Sequence, residues 1–250
     1  MIHTILRRIR KKISGSAPNR TPLPEGRVPL SIVVYGLGAI GKTHAEQLSQ
    51  SQFFKLAGIC SRSASEHEVQ EKYQCRVIPS HEAVIETNPD VVLIATPHPI
   101  HAMAVTEFLN AGINVICEKP ICVKCSELEE IRTAVESSDA AFTLVSQTRY
   151  EASYHRLRSL LDEGSFGSVR RCSITETFLR PDSYYKSEPW RGTWSGEGGG
   201  VLVNQGPHII DRYIWICGRP DEVQASCDTL QHDIRVEDSA TLACRHNNGL

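Results

Sequence analysis

The sequence has almost no excess of charge of either sign: Lys+Arg is 27 against Asp+Glu 29 in 250 residues, a formal net charge of −2. No global positive field exists to hold a phosphate backbone, so nucleic-acid binding is not expected. Long apolar runs are also missing. The longest aliphatic stretch, Val91 to Ala95, is a quarter of the ~20 residues a spanning helix requires, so no transmembrane segment is expected. Aromatic residues are few, at 6%, but 40% hydrophobic and 22% charged residues are ordinary values for a globular chain and exclude disordered or fibrous classes. This length suits one large or two modest domains, with a core that needs no covalent staples.

The nine cysteines are odd in number, and several sit inside apolar runs, where they read as small buried hydrophobes. That usage suits a reducing compartment, and the expected location is cytoplasmic. Cys122 and Cys125 form a lone CxxC with no second pair, and His98 and His101 have no evident third ligand, so no metal site is expected.

Charge is uneven along the chain. Residues 1–30 carry +6, which leaves −8 for the remainder. Ile2, Ile5, Leu6, Ile9 and Ile13 recur at helical spacing among the basic residues, a weak amphipathic pattern that suits a targeting presequence or an anionic membrane surface. The plainer reading is a solvated basic tail followed by a Pro-rich linker.

From Ser31 short β-branched runs alternate with longer amphipathic stretches. Strands are expected near 31–35, 54–60, 90–95, 114–117 and 141–145, with helices near 39–50, 64–73, 98–111 and 124–138. That repetition predicts an α/β domain over residues 31–150, a doubly wound parallel sheet covered on both faces. Beyond Tyr150 a helix (151–162) is followed by an alternating strand from Val169 to Phe178 and a Pro/Gly/Trp-rich loop over 179–200. A helix over 201–216 and strand-like runs at 222–230 and 238–246 complete the chain. Strands without intervening helices predict an α+β second domain over residues 151–250. The chain stops at Asn-Asn-Gly-Leu, a hairpin signal with no following strand, so its sheet reads as open and incomplete.

The first run ends in Gly36-Leu-Gly38-Ala39-Ile40-Gly41, a GxGxxG between a strand and a helix. Gly36 permits the tight turn, Gly38 lets backbone approach a pyrophosphate, and Gly41 lets the helix pack closely on the strand. The helix N-terminus then offers free N–H groups to the phosphates. At the end of the second strand an NAD site usually places a carboxylate; here the residues are Cys60-Ser61-Arg62-Ser63. Arg62 and the neighbouring hydroxyls suit a 2′-phosphate, which predicts NADP in preference to NAD, unless Arg62 is simply a solvated loop cation.

Two further segments fall at carboxyl ends of parallel strands, where such sheets bind ligands. They are Thr96-Pro97 with His101, read as lining the nicotinamide region, and Glu118-Lys119-Pro120. Partial burial would lower the Lys119 pKa toward general acid–base use. In the second half Asn204, His208 and Asp211 are spaced i, i+4, i+7, which on one helix projects all three from one face. His208 suits proton transfer and Asp211 suits orienting its ring; a satisfied core histidine with a structural carboxylate is the alternative. Pro207 inside the stripe can start the helix later or kink it.

Read together and in order, GLGAIG, ATPHPIH, CEKP and GGGVLVNQGPHIID resemble the glucose–fructose oxidoreductase, inositol dehydrogenase and MocA-type (Gfo/Idh/MocA) family, from about Ile32 to the last residue. The resemblance implies an N-terminal Rossmann domain, a C-terminal α+β domain built on an open, mostly antiparallel sheet, and hydride transfer between NAD(P) and a sugar, polyol or related alcohol. Members are longer, which implies that this chain is a truncated one. It also implies that Lys119 positions the reacting oxygen and His208 accepts the proton, the two meeting beside the nicotinamide. Asn204 stands where the inositol dehydrogenase pattern has Asp, and an amide cannot ionise. Trp190, Arg191 and Trp194 resemble the family's substrate-side segment, and Arg149-Tyr150 can reach the same cleft; packing or surface roles are as open for these. The C-terminal sheet offers a face for a homo-oligomer. Two rival readings are a catalytically silent dinucleotide-binding protein, such as a redox-responsive regulator, and reduction of a non-sugar substrate such as an imine or tetrapyrrole.

Overall fold

A computed structural model describes residues 28–247. The basic segment lies outside the described residues except for 28–30, as does the end of the Asn-Asn-Gly-Leu signal. The chain divides into two compact units, one through Val145 and one from Ser146.

The first unit is a six-stranded sheet in the order β3-β2-β1-β4-β5-β6, every pair parallel. The strands are β1 (Leu30–Tyr35), β2 (Phe54–Cys60), β3 (Arg76–Val77), β4 (Val91–Ile94), β5 (Asn114–Cys117) and β6 (Phe142–Leu144). Between them run α1 (Ala39–Ser49), α2 (Glu66–Tyr73), α3 (His81–Thr87), α4 (His101–Asn110) and α5 (Cys125–Ser137). Ile32, Val33 and Val34 in β1 and all four residues of β4 are buried, as continuous apolar strands covered on both faces must be. Phe108 and Leu109 of α4 pack on that core. The order reverses between β1 and β4, which places a ligand crevice at the carboxyl ends of those two strands.

β3 and α3 were not anticipated. A two-residue ladder carries no periodicity, but α3 has a legible start: Ser80 Oγ accepts from the Ala83 N–H at 3.2 Å.

The second unit holds α6 (Ala152–Asp162), α7 (Asp182–Lys186), α8 (Val201–Asn204), α9 (Gly206–Cys217), and the antiparallel pair β7 (Glu222–Asp228) and β8 (Ser239–Arg245). The short helix α7 falls inside the expected loop. Two expectations are corrected. The Val169–Phe178 run is extended and alternates between part-buried Cys172, Ile174, Glu176 and exposed Arg171, Ser173, Thr175, yet it is not a strand among the described residues. Alternation specifies which face is inward, whereas a strand also needs a partner for its backbone groups. The single helix over 201–216 is two, broken at Gln205, with Pro207 in the first turn of α9, where its missing N–H is harmless.

Candidate functional site

β1 ends at Gly36, whose φ of 106° only glycine adopts readily. A Cβ there would lie 2.6 Å from the Ala95 carbonyl group, so the turn runs tight against the end of β4. A Cβ on Gly41 would run into the Gly36 carbonyl oxygen. Gly38 differs: nothing lies within 4 Å of the place a Cβ would take. Gly38 is also the N-cap of α1, which has no side-chain cap and no acidic residue in its first turn. Gly38, Ala39 and Ile40 at this helix start are all exposed, and the helix dipole favours an anion there.

At the neighbouring strand ends, Arg62 is exposed and flanked by Ser61 and Ser63, whose hydroxyl oxygens are 3.2 Å apart. Thr96 Oγ1 is buried and without a hydrogen-bond partner, and Pro97 is exposed. An orphaned hydroxyl, an uncapped helix and the clearance at Gly38 fit a dinucleotide.

His101, expected to line the nicotinamide region, lies inside the first unit. It is 1% exposed, with Nδ1 2.7 Å from the Pro120 carbonyl and Nε2 2.8 Å from the Thr96 carbonyl. Burial pushes its pKa down, opposed by the two carbonyls. Both ring nitrogens face backbone carbonyls, and the neutral ring donates to one of them through whichever nitrogen carries the proton, so His101 links the segments that follow β4 and β5. Glu118 is likewise buried, with Oε1 2.8 Å from His44 Nε2 and Oε2 accepting from the Lys119 N–H at 3.1 Å. Burial alone would raise its pKa; the His44 and Lys119 donors outweigh that and hold it below the usual carboxylate value. Glu118 thus ties the glycine helix to the main chain of Lys119. Lys119 is part-buried, and the Lys119–Pro120 peptide is cis.

In the second unit, His208 and Asp211 share α9 and Asn204 ends α8, so the three do not form the continuous stripe that spacing predicted. The Asp211 carboxylate is engaged by Arg149, which donates to it from Nε at 2.7 Å and from Nη2. Arg149 also lies over Trp215, at 5.9 Å from the ring. Tyr150 beside it is 76% exposed. Asn204 donates its amide to Glu197 Oε1 at 2.6 Å and to the Tyr184 hydroxyl at 3.0 Å. Glu197 is buried, and its second oxygen accepts from the Gly192 N–H. Trp190 and Tyr184 both stack on the Arg191 guanidinium, whereas Trp194 is 61% exposed.

Sequence reasoning missed His44, Glu197, Tyr184 and Arg212. Arg212 is buried, donates to Tyr154 Oη at 2.5 Å and to Glu176, and bonds the His208 carbonyl at 3.0 Å. It fixes the backbone at His208, and only its place one turn after that histidine hinted at this. Among the described residues no group of three or more His, Cys, Asp or Glu is arranged to hold a metal, and no helix is long and apolar enough to cross a membrane.

The glycine turn on a 3-2-1-4-5-6 parallel sheet defines a Rossmann-type dinucleotide-binding protein with a second α+β unit. Two family models match in succession: an oxidoreductase family with NAD-binding Rossmann fold over residues 30–145, and the GFO/IDH/MocA C-terminal domain over 154–250. The chain belongs to the Gfo/Idh/MocA family. It is 29% identical over 201 residues to an inositol 2-dehydrogenase of Rhizobium meliloti, covering 78% of this chain and 57% of that one. It is 24% identical over 137 residues to the scyllo-inositol 2-dehydrogenase (NADP(+)) IolW of Bacillus subtilis, covering 55% and 37%. The solved WlbA dehydrogenase of Chromobacterium violaceum, in complex with NADH and UDP-GlcNAcA, is similar at a TM-score of 0.84 and 28% identity, over 92% of this chain and 67% of that one. The chain spans about half the length of the curated relatives it matches.

Proposed function

We propose that the protein is an NADP-preferring oxidoreductase that transfers hydride between the nicotinamide and a secondary alcohol of a sugar, polyol or related substrate. The observation that carries the reading is the clearance in front of Gly38 at the uncapped start of α1, beside the orphaned Thr96 hydroxyl and within a chain that also carries Lys119 and His208. The cofactor supplies or takes up hydride. Gly38, Ala39 and Ile40 hold its phosphates on the tight turn that Gly36 and Gly41 make possible; Ser61 and Arg62 hold the 2′-phosphate through charge-assisted hydrogen bonds, and Thr96 and Pro97 border the nicotinamide. Lys119 Nζ stabilises negative charge developing on the substrate oxygen, and the His208 imidazole accepts the hydroxyl proton in oxidation and returns it in reduction. Asn204, Trp190 and Arg191 serve the substrate side, with Arg149 and Asp211 shaping it as an ion pair.

NADP over NAD rests on Arg62 and the absence of a carboxylate in Cys60-Ser61-Arg62-Ser63; relatives carry both cofactors in their names. Cysteine usage supports a cytoplasmic setting, and the full exposure of β7 supports a homo-oligomer through that sheet. The test follows nicotinamide absorbance with either cofactor across a panel of sugars, sugar acids and polyols. Turnover is the expected result. Cofactor binding without turnover on any member would favour a catalytically silent binding protein, the reading to which the engagement of Asp211 by Arg149 lends weight.

A further inference from the structure

Five arginines of the second unit are buried or part-buried: Arg149, Arg158, Arg180, Arg191 and Arg212. Three are paired with carboxylates, Arg149 with Asp211, Arg158 with Asp162 and Arg212 with Glu176. Arg180 and Arg191 have no carboxylate within ion-pair distance among the described residues. Both lie against one ring, with the Arg180 guanidinium carbon 4.8 Å and that of Arg191 4.1 Å from the centre of Tyr184. Arg191 is further held by Trp190, 4.7 Å away.

Stacking on aromatic rings fixes a guanidinium in place without consuming its hydrogen-bonding fork. The Arg191 Nε is buried and has no acceptor, a deficit usually avoided. The neighbouring carboxylates do not supply one. Glu197 is turned to the Gly192 amide and to Asn204, and Asp238 to three backbone amides and His232. Neither guanidinium forms an ion pair among the described residues, although Glu197 and Asp238 lie near enough to act on the neighbouring Tyr185, and two like charges brought to one ring lower the free energy of an oxyanion placed there. The location is specific, because the Tyr184 hydroxyl accepts from Asn204, which ends the segment before His208.

We propose that Arg180 and Arg191, held on Tyr184, form an oxyanion subsite that selects a sugar substrate carrying a carboxylate or phosphate over a neutral one. The inference rests on the reading of Asn204 and His208 as substrate-side residues. It makes Arg191 a specificity residue, with Tyr184 and Trp190 as the groups that position it.

The test is calorimetric titration of the protein, saturated with NADPH, with D-glucuronate, D-glucose 6-phosphate and D-glucose. The two anionic sugars should bind at least roughly tenfold tighter than glucose, the scale of one hydrogen bond to a charged group. The two anionic arms separate carboxylate from phosphate. Arg191→Gln should abolish the preference with cofactor affinity retained, Arg180→Gln should reduce it, and Arg191→Lys should recover part of it. Circular dichroism of each variant guards against loss of fold, and Arg180→Gln alone tests the subsite if Arg191→Gln does not fold. Equal affinity for all three sugars, binding of none, or an undiminished preference in the folded variants would overturn the proposal. Turnover of neutral polyols with no anion preference would overturn it and leave the dehydrogenase reading intact; an anion preference without turnover on any substrate would do the reverse.

Discussion

Glu118 and His44, 74 residues apart, meet at 2.8 Å, and the same carboxylate accepts the Lys119 N–H at 3.1 Å. The first bond anchors the helix that begins at the phosphate turn; the second fixes the backbone from which the lysine projects. One buried carboxylate therefore couples the start of the glycine helix to the main chain of Lys119.

Removing one partner leaves the other buried and under-bonded, which costs about 1–3 kcal/mol. His44→Ala is expected to lower thermal stability by that amount and to reduce kcat about tenfold or more by loosening Lys119. His44→Gln should recover part of both. Because the Glu118 pKa is lowered in the fold, its contribution is present above the unfolded value of 4.5 and lost as pH falls through the folded one. Stability of the wild type should accordingly fall in that acid window more than that of Glu118→Gln. Identical acid profiles would remove Glu118 from this role.

The three glycines separate into packing and binding roles. Gly41→Ala places a methyl on the Gly36 carbonyl and should cost about 3 kcal/mol, at the upper end of ordinary overpacking. Gly38→Ala meets nothing within the fold and has an ordinary φ of −70°, so stability should change by less than about 1 kcal/mol. Its NADPH affinity should nevertheless fall about tenfold or more, since the methyl enters the space left for phosphate. Melting curves and fluorescence titration of both variants distinguish these outcomes.

Arg62→Ala is expected to weaken NADPH binding by about tenfold, one charge-assisted contact, and to leave NADH binding nearly unchanged. Tighter binding of NADH than NADPH by the wild type would reverse the cofactor assignment.

His232 stands 2.7 Å from the Arg180 carbonyl through Nε2 and 2.9 Å from Asp238 through Nδ1. The carbonyl raises its pKa most, burial opposes, and Asp238 adds to the rise. For Asp238, burial is outweighed by the Leu230, Gln231 and His232 donors, which hold the carboxyl at about 2. A raised histidine pKa stabilises the fold fully below its unfolded value near 6.5 and loses that contribution as pH rises through the folded value. Proton NMR should find the His232 midpoint above 6.5; a midpoint at or below it would contradict the bridge.

Local signals read well in this sequence. Glycines at 36, 38 and 41 specify a turn by short-range sterics, and the β-branched runs of β1 and β4 declare burial on both faces. Signals that depend on a distant partner did not. The alternation from Val169 to Phe178 is real, but pairing is decided elsewhere in the chain. The i, i+4, i+7 stripe assumed a continuous helix that Gln205 interrupts. His101 and Glu118 carry the residue types of ligand contacts, and only the fold reveals that their polar atoms face Thr96, Pro120, His44 and Lys119. Asp211 was read beside His208 because the two are near in sequence, whereas Arg149, 62 residues earlier, takes its carboxylate.

The central claim is that Lys119 acts on the reacting oxygen and not on the cofactor alone. The direct test is Lys119→Met, measured for turnover on the best substrate of the panel and for NADPH affinity on the same preparation. The account predicts that kcat falls by about a hundredfold or more, the range of one lost electrostatic group, with NADPH affinity within a few-fold of wild type. Wild-type turnover in that variant, or a loss confined to NADPH binding, would contradict it.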